Sequence, residues 1–489
     1  MTMLWRHPRW RFFVIAAAIC LLVVVSLALR IASPSDIVSR DQSRTVSYTI
    51  DIVANHNFIL AADADGFPAT KPPLVNYLSA VFVMLFGPGE WAFMLPSLLA
   101  FFGILWLIYL IARDTFAQLP AEPSLGGLTT TEWAVLLAVA FRGLSPMSLR
   151  LAFVARPDMI LVFFLTLGFY AANRALAQPR PAGASWAFLF WASASLAALA
   201  KGPIALIPVA YGFLAAKIFH DDWRLASRLR PAIGAPLALV VALAWPVAVY
   251  VLDQNHFRLV LLGEELGGQF KDAWYAGFLS VWEVPFFLLS RFMPWSLLLI
   301  VAAIYFPWRR WRQHPLGPSL LYVALLTIPF VLVASRRGDR FAPFYPLLTA
   351  VCAWAAVYAM RGQTLLRASL AMLPLSAVGL AVYFFFLSDQ AKDLSGQRLL
   401  DFVHEAKAAI RGQPVLVCKT ENRGLALQAF LGVNQRGSYP TQAPPSGAWV
   451  VAYKPAETSR VVARSEVLPL VSGQRLFLFR VEGGSLICR

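Results

Sequence analysis

The chain has 489 residues, of which 59% are hydrophobic and 14% charged, and 42 Lys and Arg against 26 Asp and Glu give a net charge of +16. No soluble domain hides that much apolar surface, so lipid must solvate most of the chain. The basic excess sits in short loops between apolar runs, where it orients helices, and this argues against nucleic-acid binding.

The N-terminus reads WRHPRWR, followed by an apolar run over Phe12–Leu29. The remainder of the chain is itself polytopic, so the run is expected to be an uncleaved first span rather than a signal peptide, with the basic start in the cytoplasm. Residues 32–74 then form an outer loop, acid-rich and water-facing, that runs through SRDQSRTVSYTIDIV to FPATKPPLVNYL. Carboxylates and a lysine held at a bilayer surface suit chemistry on an anionic lipid. The run Leu74–Phe86 is too short to cross a hydrocarbon core of about 30 Å and reads as an interfacial helix.

Further spans are expected at Phe93–Ala112, Trp133–Leu149, Met159–Leu176, Trp186–Ala200, Ile204–Phe219, Ala232–Leu252, Val284–Phe306, Ser319–Ser335, Phe341–Met360 and Ala368–Leu387. This is a polytopic α-helical membrane protein of about eleven to thirteen spans. The resulting parity places the basic loops around Arg174 and Arg180, Arg224–Arg230, Arg309–Arg312 and Arg361–Arg367 in the cytoplasm, as positive charge prefers. It leaves Lys71, Arg150, Arg156, Lys201, Arg336, Arg337 and Arg340 outside. Each alone suits a lipid headgroup anchor; together, against the topology rule, they suit an anionic ligand. Arg142, inside an apolar span, is a functional candidate by default and is expected to face the outer cavity.

After about Leu394 the composition becomes soluble. RLLDFVHEAKAAI carries apolar residues at helical spacing, and PVLVC, GAWVVAYK and RLFLFRV read as strands. Residues 1–390 are therefore assigned to a transmembrane domain and 391–489 to a small outer α/β domain. This second domain has no metal spacing, phosphate loop or nucleophile triad, and reads as a structural or acceptor-docking module. Cys20 and Cys352 fall in spans, whereas Cys418 and Cys488 both fall in the outer domain, where an oxidising compartment permits a bridge.

The order of these motifs carries a resemblance: an acidic motif after the first span, KPPL with Tyr soon after, FG, MLPS, RPD, KGP, MPW and an Arg-rich turn before Phe-Tyr-Pro. It resembles the bacterial relatives of protein O-mannosyltransferases and the lipid A aminoarabinose transferases, membrane glycosyltransferases of the C-type fold. The resemblance implies transfer of a sugar from a polyprenyl-phosphate donor to an envelope lipid, glycan or protein on the periplasmic side of a bacterial inner membrane. The first loop of such proteins usually begins Asp-Glu, one residue, Arg. Here it is Asp41, Gln42, Ser43, Arg44, so Asp41 matches the catalytic carboxylate and Gln42 departs from the pattern.

A departing phosphate needs no proton, only positive charge, so one base and a cationic cluster suffice. Asp41 is expected to take the proton of the acceptor hydroxyl, with inversion at the anomeric carbon. Lys71, Arg337, Arg340 and Arg44 are expected to hold the carrier phosphate. Asp158 and Glu265 are candidates for orienting groups or acceptor contacts; Asp158 could orient Lys71, and it reads equally well as a helix N-cap. Aminoarabinose transferases place a metal-ligating Glu before the lysine; here it is Thr70, and no His follows Glu264 and Glu265, so no cofactor is assigned and a divalent metal stays open. Asp36, Asp51, Asp63 and Asp65 read as solvated or capping residues, and His56 and His256 as ordinary interfacial histidines. A transporter or flippase of lipid-linked sugars is the alternative.

Overall fold

The computed structural model describes residues 8–178, 183–267, 283–332, 338–360, 362–418, 424–438, 446–453, 460–465 and 475–481. Its helices, in chain order, are α1 Pro8–Ala32, α2 Arg40–Asn55, α3 Leu74–Phe86, α4 Glu90–Phe116, α5 Thr130–Gly143, α6 Pro146–Ala152, α7 Asp158–Ala177, α8 Ala184–Lys201 and α9 Leu206–His220. They continue with α10 Pro231–Leu252, α11 Glu283–Arg291, α12 Leu297–Tyr305, α13 Gly317–Leu332, α14 Tyr345–Tyr358, α15 Thr364–Val382, α16 Asp389–Asp393, α17 Ser395–Ile410 and α18 Gly424–Leu431.

The chain is a polytopic helical membrane protein. The described part of each expected span is mainly helical, the end of Ser319–Ser335 lying outside the described residues, and among the described residues seven helices are long and apolar enough to cross a bilayer. Two expected spans are broken. The first is bent by 58° between α5 and α6, at Gly143-Leu144-Ser145-Pro146, where a proline follows a glycine. The second divides into α11 and α12 around Pro294. Proline lacks the N–H and clashes with the preceding turn, so such sites end or kink a helix. Helix α5 itself starts on a capping box, in which the Thr129 side chain accepts from the Glu132 N–H while Glu132 accepts from Thr129. Helix α10 leaves Ile233, Leu237, Leu239, Val240, Val247 and Val251 exposed, as a helix bathed in lipid tails must.

The contacts divide into two compact units: Met1–Arg30 with Leu98–Ala152 and Pro157–Ala381, and Ile31–Ser97 with Phe153–Arg156 and Val382–Arg489. The outer loop after the first span thus belongs with the C-terminal region. The physical reason is a shared apolar core. Helix α2 presents Val46 and Ile50, one turn apart, to a cluster with Phe93, Phe153, Leu399, Phe402, Phe430 and Leu478. Phe93 and Phe430 meet edge to face at 5.4 Å.

That core corrects one sequence expectation. The segment read as water-facing is the amphipathic helix α2, and Gln42, Ser43, Ser47, Thr49 and Asp51 on it are buried. The C-terminal sheet has strands β1 Val415–Val417, β2 Trp449–Ala452, β3 Arg460–Arg464 and β4 Phe477–Arg480 in the order β1-β2-β4-β3. The pair β1/β2 is parallel and the other two antiparallel. Strand β3 and helix α18 have no counterpart in the sequence-based pattern; β3 is edge-placed and bulged between Val461 and Ala463, which breaks the alternation that would reveal it. Cys418 is disulfide-bonded, and the second cysteine of the expected pair, Cys488, lies outside the described residues.

Candidate active site

Asp41 sits in the first turn of α2, where a carboxylate also interacts favourably with the helix dipole. Its side chain keeps 30% of its exposure and one oxygen lies 3.8 Å from the Arg156 guanidinium. Arg156 comes from the RPD motif, far along the chain, and Gln42 brings it there. The Gln42 amide oxygen accepts from the Ala155 N–H at 2.9 Å, while its amide nitrogen donates to the Asp36 carbonyl at 3.0 Å. Ser97 adds a hydrogen bond to the Val154 carbonyl at 2.7 Å.

A carboxylate at position 42 would keep the first of these bonds and turn the second into two facing oxygens. Gln42→Glu is therefore expected to destabilise the protein by about 1–3 kcal/mol at neutral pH, the usual effect of an unsatisfied buried polar group. Burial beside a carbonyl raises the folded-state pKa of such a glutamic acid. Stability is then highest below the ordinary carboxylate range and falls as pH rises through the raised value. Equal unfolding midpoints for the variant and the parent in detergent at neutral pH would contradict this account.

The acids expected to be solvated are mostly structural. Asp51 is completely buried and accepts from Asn55 Nδ2 at 2.7 Å, Asn57 Nδ2 at 3.0 Å and the Ala62 N–H at 2.7 Å. Asp63 is also buried and accepts from the Asp65 and Phe67 N–H groups at 3.1 and 3.0 Å. Burial pushes its carboxyl above the ordinary carboxylate value, opposed by the Phe67 N–H and by Arg44. Arg44 lies 3.5 Å from Asp63, so this expected phosphate ligand already has a carboxylate neighbour.

Between Ala61 and Ala69 the chain doubles back, with the Ala69 N–H on the Ala61 carbonyl at 2.7 Å and the Asp63 N–H on the Phe67 carbonyl at 2.9 Å. It then delivers Lys71, which is exposed and makes no ion pair among the described residues. Asp41, Arg44, Arg156 and Lys71 thus all belong to one compact unit.

In the other unit, Asp158 opens α7 without a side-chain capping bond and pairs instead with Lys201, the last residue of α8. The two helices pack antiparallel, so the start of one and the end of the other share an end. Lys201 is thus one partner of Asp158. Arg340 lies half-buried in the turn Gly338–Phe344 that leads into α14. Arg337 lies outside the described residues, as does the side chain of Glu265. Arg142 does not face an outer cavity as expected: it has no exposure, and its Nη2 lies 3.9 Å from Met159 Sδ.

Among the described residues no three His, Cys, Asp or Glu side chains come together in a way that would hold a metal. Thr70 offers a hydroxyl where a carboxylate would suit a metal better, and the side chains of Glu264 and Glu265 lie outside the described residues.

Residues 70–250 match the family model for dolichyl-phosphate-mannose-protein mannosyltransferases. YycA and YkcB of Bacillus subtilis, both named as candidate mannosyltransferases, are 28% and 25% identical over 203 and 212 residues, or 40% and 42% of this chain. Each match spans only 26% of the relative's own length. ArnT from Cupriavidus metallidurans, solved in the apo state and bound to undecaprenyl phosphate, superposes with a TM-score of 0.64 in both cases. The alignments cover 96% of this chain and 99% of ArnT at 17% and 16% identity. Residues 70–250 are thus similar in sequence to the protein mannosyltransferases, and the chain as a whole shares the fold of ArnT. That likeness extends over the sheet-bearing C-terminal region as well as the helices.

Two features of the site escape sequence reasoning. By sequence Arg156 is one of seven outer cations and nothing marks it as the partner of Asp41; only the fold brings positions 115 residues apart together. Gln42 stands out as a departure from the family pattern, but its role as a two-way amide needs coordinates.

Proposed function

We propose that the protein transfers a sugar from a polyprenyl-phosphate donor to an envelope acceptor, with Asp41 as the base. The observation that carries this reading is the half-open Asp41 carboxylate in the first turn of α2, 3.8 Å from Arg156, on a fold shared with a protein solved with undecaprenyl phosphate bound. The acceptor hydroxyl loses its proton to Asp41 as its oxygen attacks the anomeric carbon; the carbon–phosphate-oxygen bond breaks on the opposite face and configuration inverts. Phosphate leaves as an anion, so its departure needs cations and not an acid. Lys71 supplies a point charge from the same compact unit as Asp41, and Arg340 and Arg337 supply guanidinium groups. Arg156 fixes the direction of the Asp41 carboxylate, and Asp158 with Lys201 forms a second polar pair for orienting the acceptor.

The disulfide at Cys418 supports placing the C-terminal region in an oxidising compartment, the periplasmic side of an inner membrane. The test uses protein reconstituted in bilayers with a radiolabelled polyprenyl-phosphate sugar and an envelope extract as acceptor. Label in a new product together with free polyprenyl phosphate supports transfer; intact donor that has only changed leaflet means a flippase and overturns the reading. In the same assay Lys71→Ala is expected to weaken carrier binding by at least about tenfold, the scale of one lost charge-assisted bond. Unchanged affinity for undecaprenyl phosphate removes Lys71 from the site.

A further inference from the structure

One loop of the C-terminal region reaches both elements that carry the proposed catalytic groups. Asn434 uses both ends of its side-chain amide. The amide nitrogen donates to the Ser47 carbonyl of α2 at 3.1 Å and to the Ala62 carbonyl at 2.9 Å. The side-chain oxygen accepts from the Arg436 N–H at 3.0 Å, and the main-chain carbonyl accepts from Asn55 Nδ2 at 3.1 Å. Next along the loop, Arg436 Nε lies 3.6 Å from Asp51, and the Gly437 N–H donates to the Ala64 carbonyl at 2.8 Å.

Two facing glycines allow this approach. A Cβ on Gly66 would lie 2.9 Å from the Arg436 carbonyl oxygen, and one on Gly437 2.7 Å from that of Asp65. Both residues have positive φ, +90° and +77°, so a side chain at either is excluded twice over, by strain and by contact. The docking is therefore specific, since random surface contact would not require a matched pair of left-handed glycines.

Ser47 lies on the helix that begins with Asp41, and Ala62 lies on the doubled-back segment that ends just before Lys71. We infer that Asn434 is a positioning residue, bracketing α2 and the 61–69 segment so that the spacing between Asp41 and Lys71 is set by the C-terminal region. This rests on the proposed function. The soluble region is then part of the donor site's framework and not only a platform for the acceptor. Asn434 touches no reacting atom; it acts through the two elements it joins.

The test measures undecaprenyl phosphate binding to the full-length protein in bilayer discs for the parent, Lys71→Ala, Asn434→Ala and the double variant. Asn434→Ala is expected to weaken binding about tenfold in protein that remains folded, since a displaced Lys71 loses about one charge-assisted bond to the phosphate. Adding it to Lys71→Ala should cause no further loss, because the group it positions is already gone. A purely structural residue would lower the unfolding midpoint and leave the affinity of the folded fraction unchanged. Should Asn434→Ala fail to accumulate, Asn434→Ser, whose short side chain cannot reach both carbonyls, tests the same bracket and should weaken binding similarly.

Normal affinity in Asn434→Ala or Asn434→Ser, with weak affinity in Lys71→Ala, overturns the bracket and leaves the proposed function standing. Normal affinity in Lys71→Ala overturns the reading of the site itself, and the bracket with it.

Discussion

Asp41→Asn is expected to lose sugar transfer by about a hundred- to ten-thousand-fold, the usual contribution of a positioned general base, while binding undecaprenyl phosphate as the parent does. The substitution keeps size and hydrogen-bonding reach and removes only the basic lone pair and the charge, so a loss of turnover with retained carrier affinity isolates the proton-transfer role. Thr45 and α2 need not notice: the contact of the Thr45 hydroxyl within the helix is to the Asp41 carbonyl at 2.8 Å, which the variant retains. Mass spectrometry of envelope lipids and glycans from cells carrying the variant reads the same effect in vivo as a missing sugar-sized increment. Full transfer by a stably folded Asp41→Asn protein ends the base assignment.

The arrangement also says why this position suits a base better than the other acids of the loop. Asp51 and Asp63 are buried and each engaged by several donors, so neither is open to an incoming hydroxyl as Asp41 is. Asp36 is buried and accepts from Gln390 Nε2 at 3.2 Å. Of Asp36, Asp41, Asp51 and Asp63 only Asp41 keeps substantial exposure; Asp65 is half-buried as well, but it lies in the turn after Asp63 and not in the first turn of a helix.

The helical layout can be read from apolar run lengths because a span announces itself by about twenty apolar residues, whatever it packs against. Breaks within a span are less visible: Pro146 and Pro294 are plain in the sequence, but proline also occurs inside α4, α10 and α15 without splitting them. The α/β character of the C-terminal region is legible from RLLDFVHEAKAAI and its strands. That this helix and α2 share one core is not legible, because Val46 and Ile50 look like two scattered apolar residues until Phe402 and Phe430 are set against them. Candidate residues divide in the same way. Asp41 and Lys71 stand in motifs whose local spacing carries their meaning, whereas Arg156 and Asn434 matter through contacts across the chain, which no local pattern encodes.

The burial of Asp51 gives the largest expected effect on stability. Asp51→Ala removes the acceptor of the buried Ala62 N–H and of two asparagine amides, and takes the carboxylate away from Arg436. Leaving the buried Ala62 N–H unsatisfied costs about 1–3 kcal/mol, while Asn55, Asn57 and Arg436 are exposed enough for water to take over their bonds and add less. Thermal unfolding in detergent should therefore show a clear fall in midpoint, and a midpoint equal to the parent's would mean that the carboxylate anchors nothing. Asp51→Asn discriminates further. Its amide keeps one oxygen for the Ala62 N–H but turns its nitrogen toward other donors, so it should fall between alanine and the parent in stability. If instead Asp51→Asn keeps the parental midpoint yet abolishes transfer, then Asp51, and not Asp41, is the carboxylate that handles the proton. The two substitutions at 41 and 51 thus separate a base from an anchor: the first should lose turnover at constant stability, the second stability first and turnover only with it.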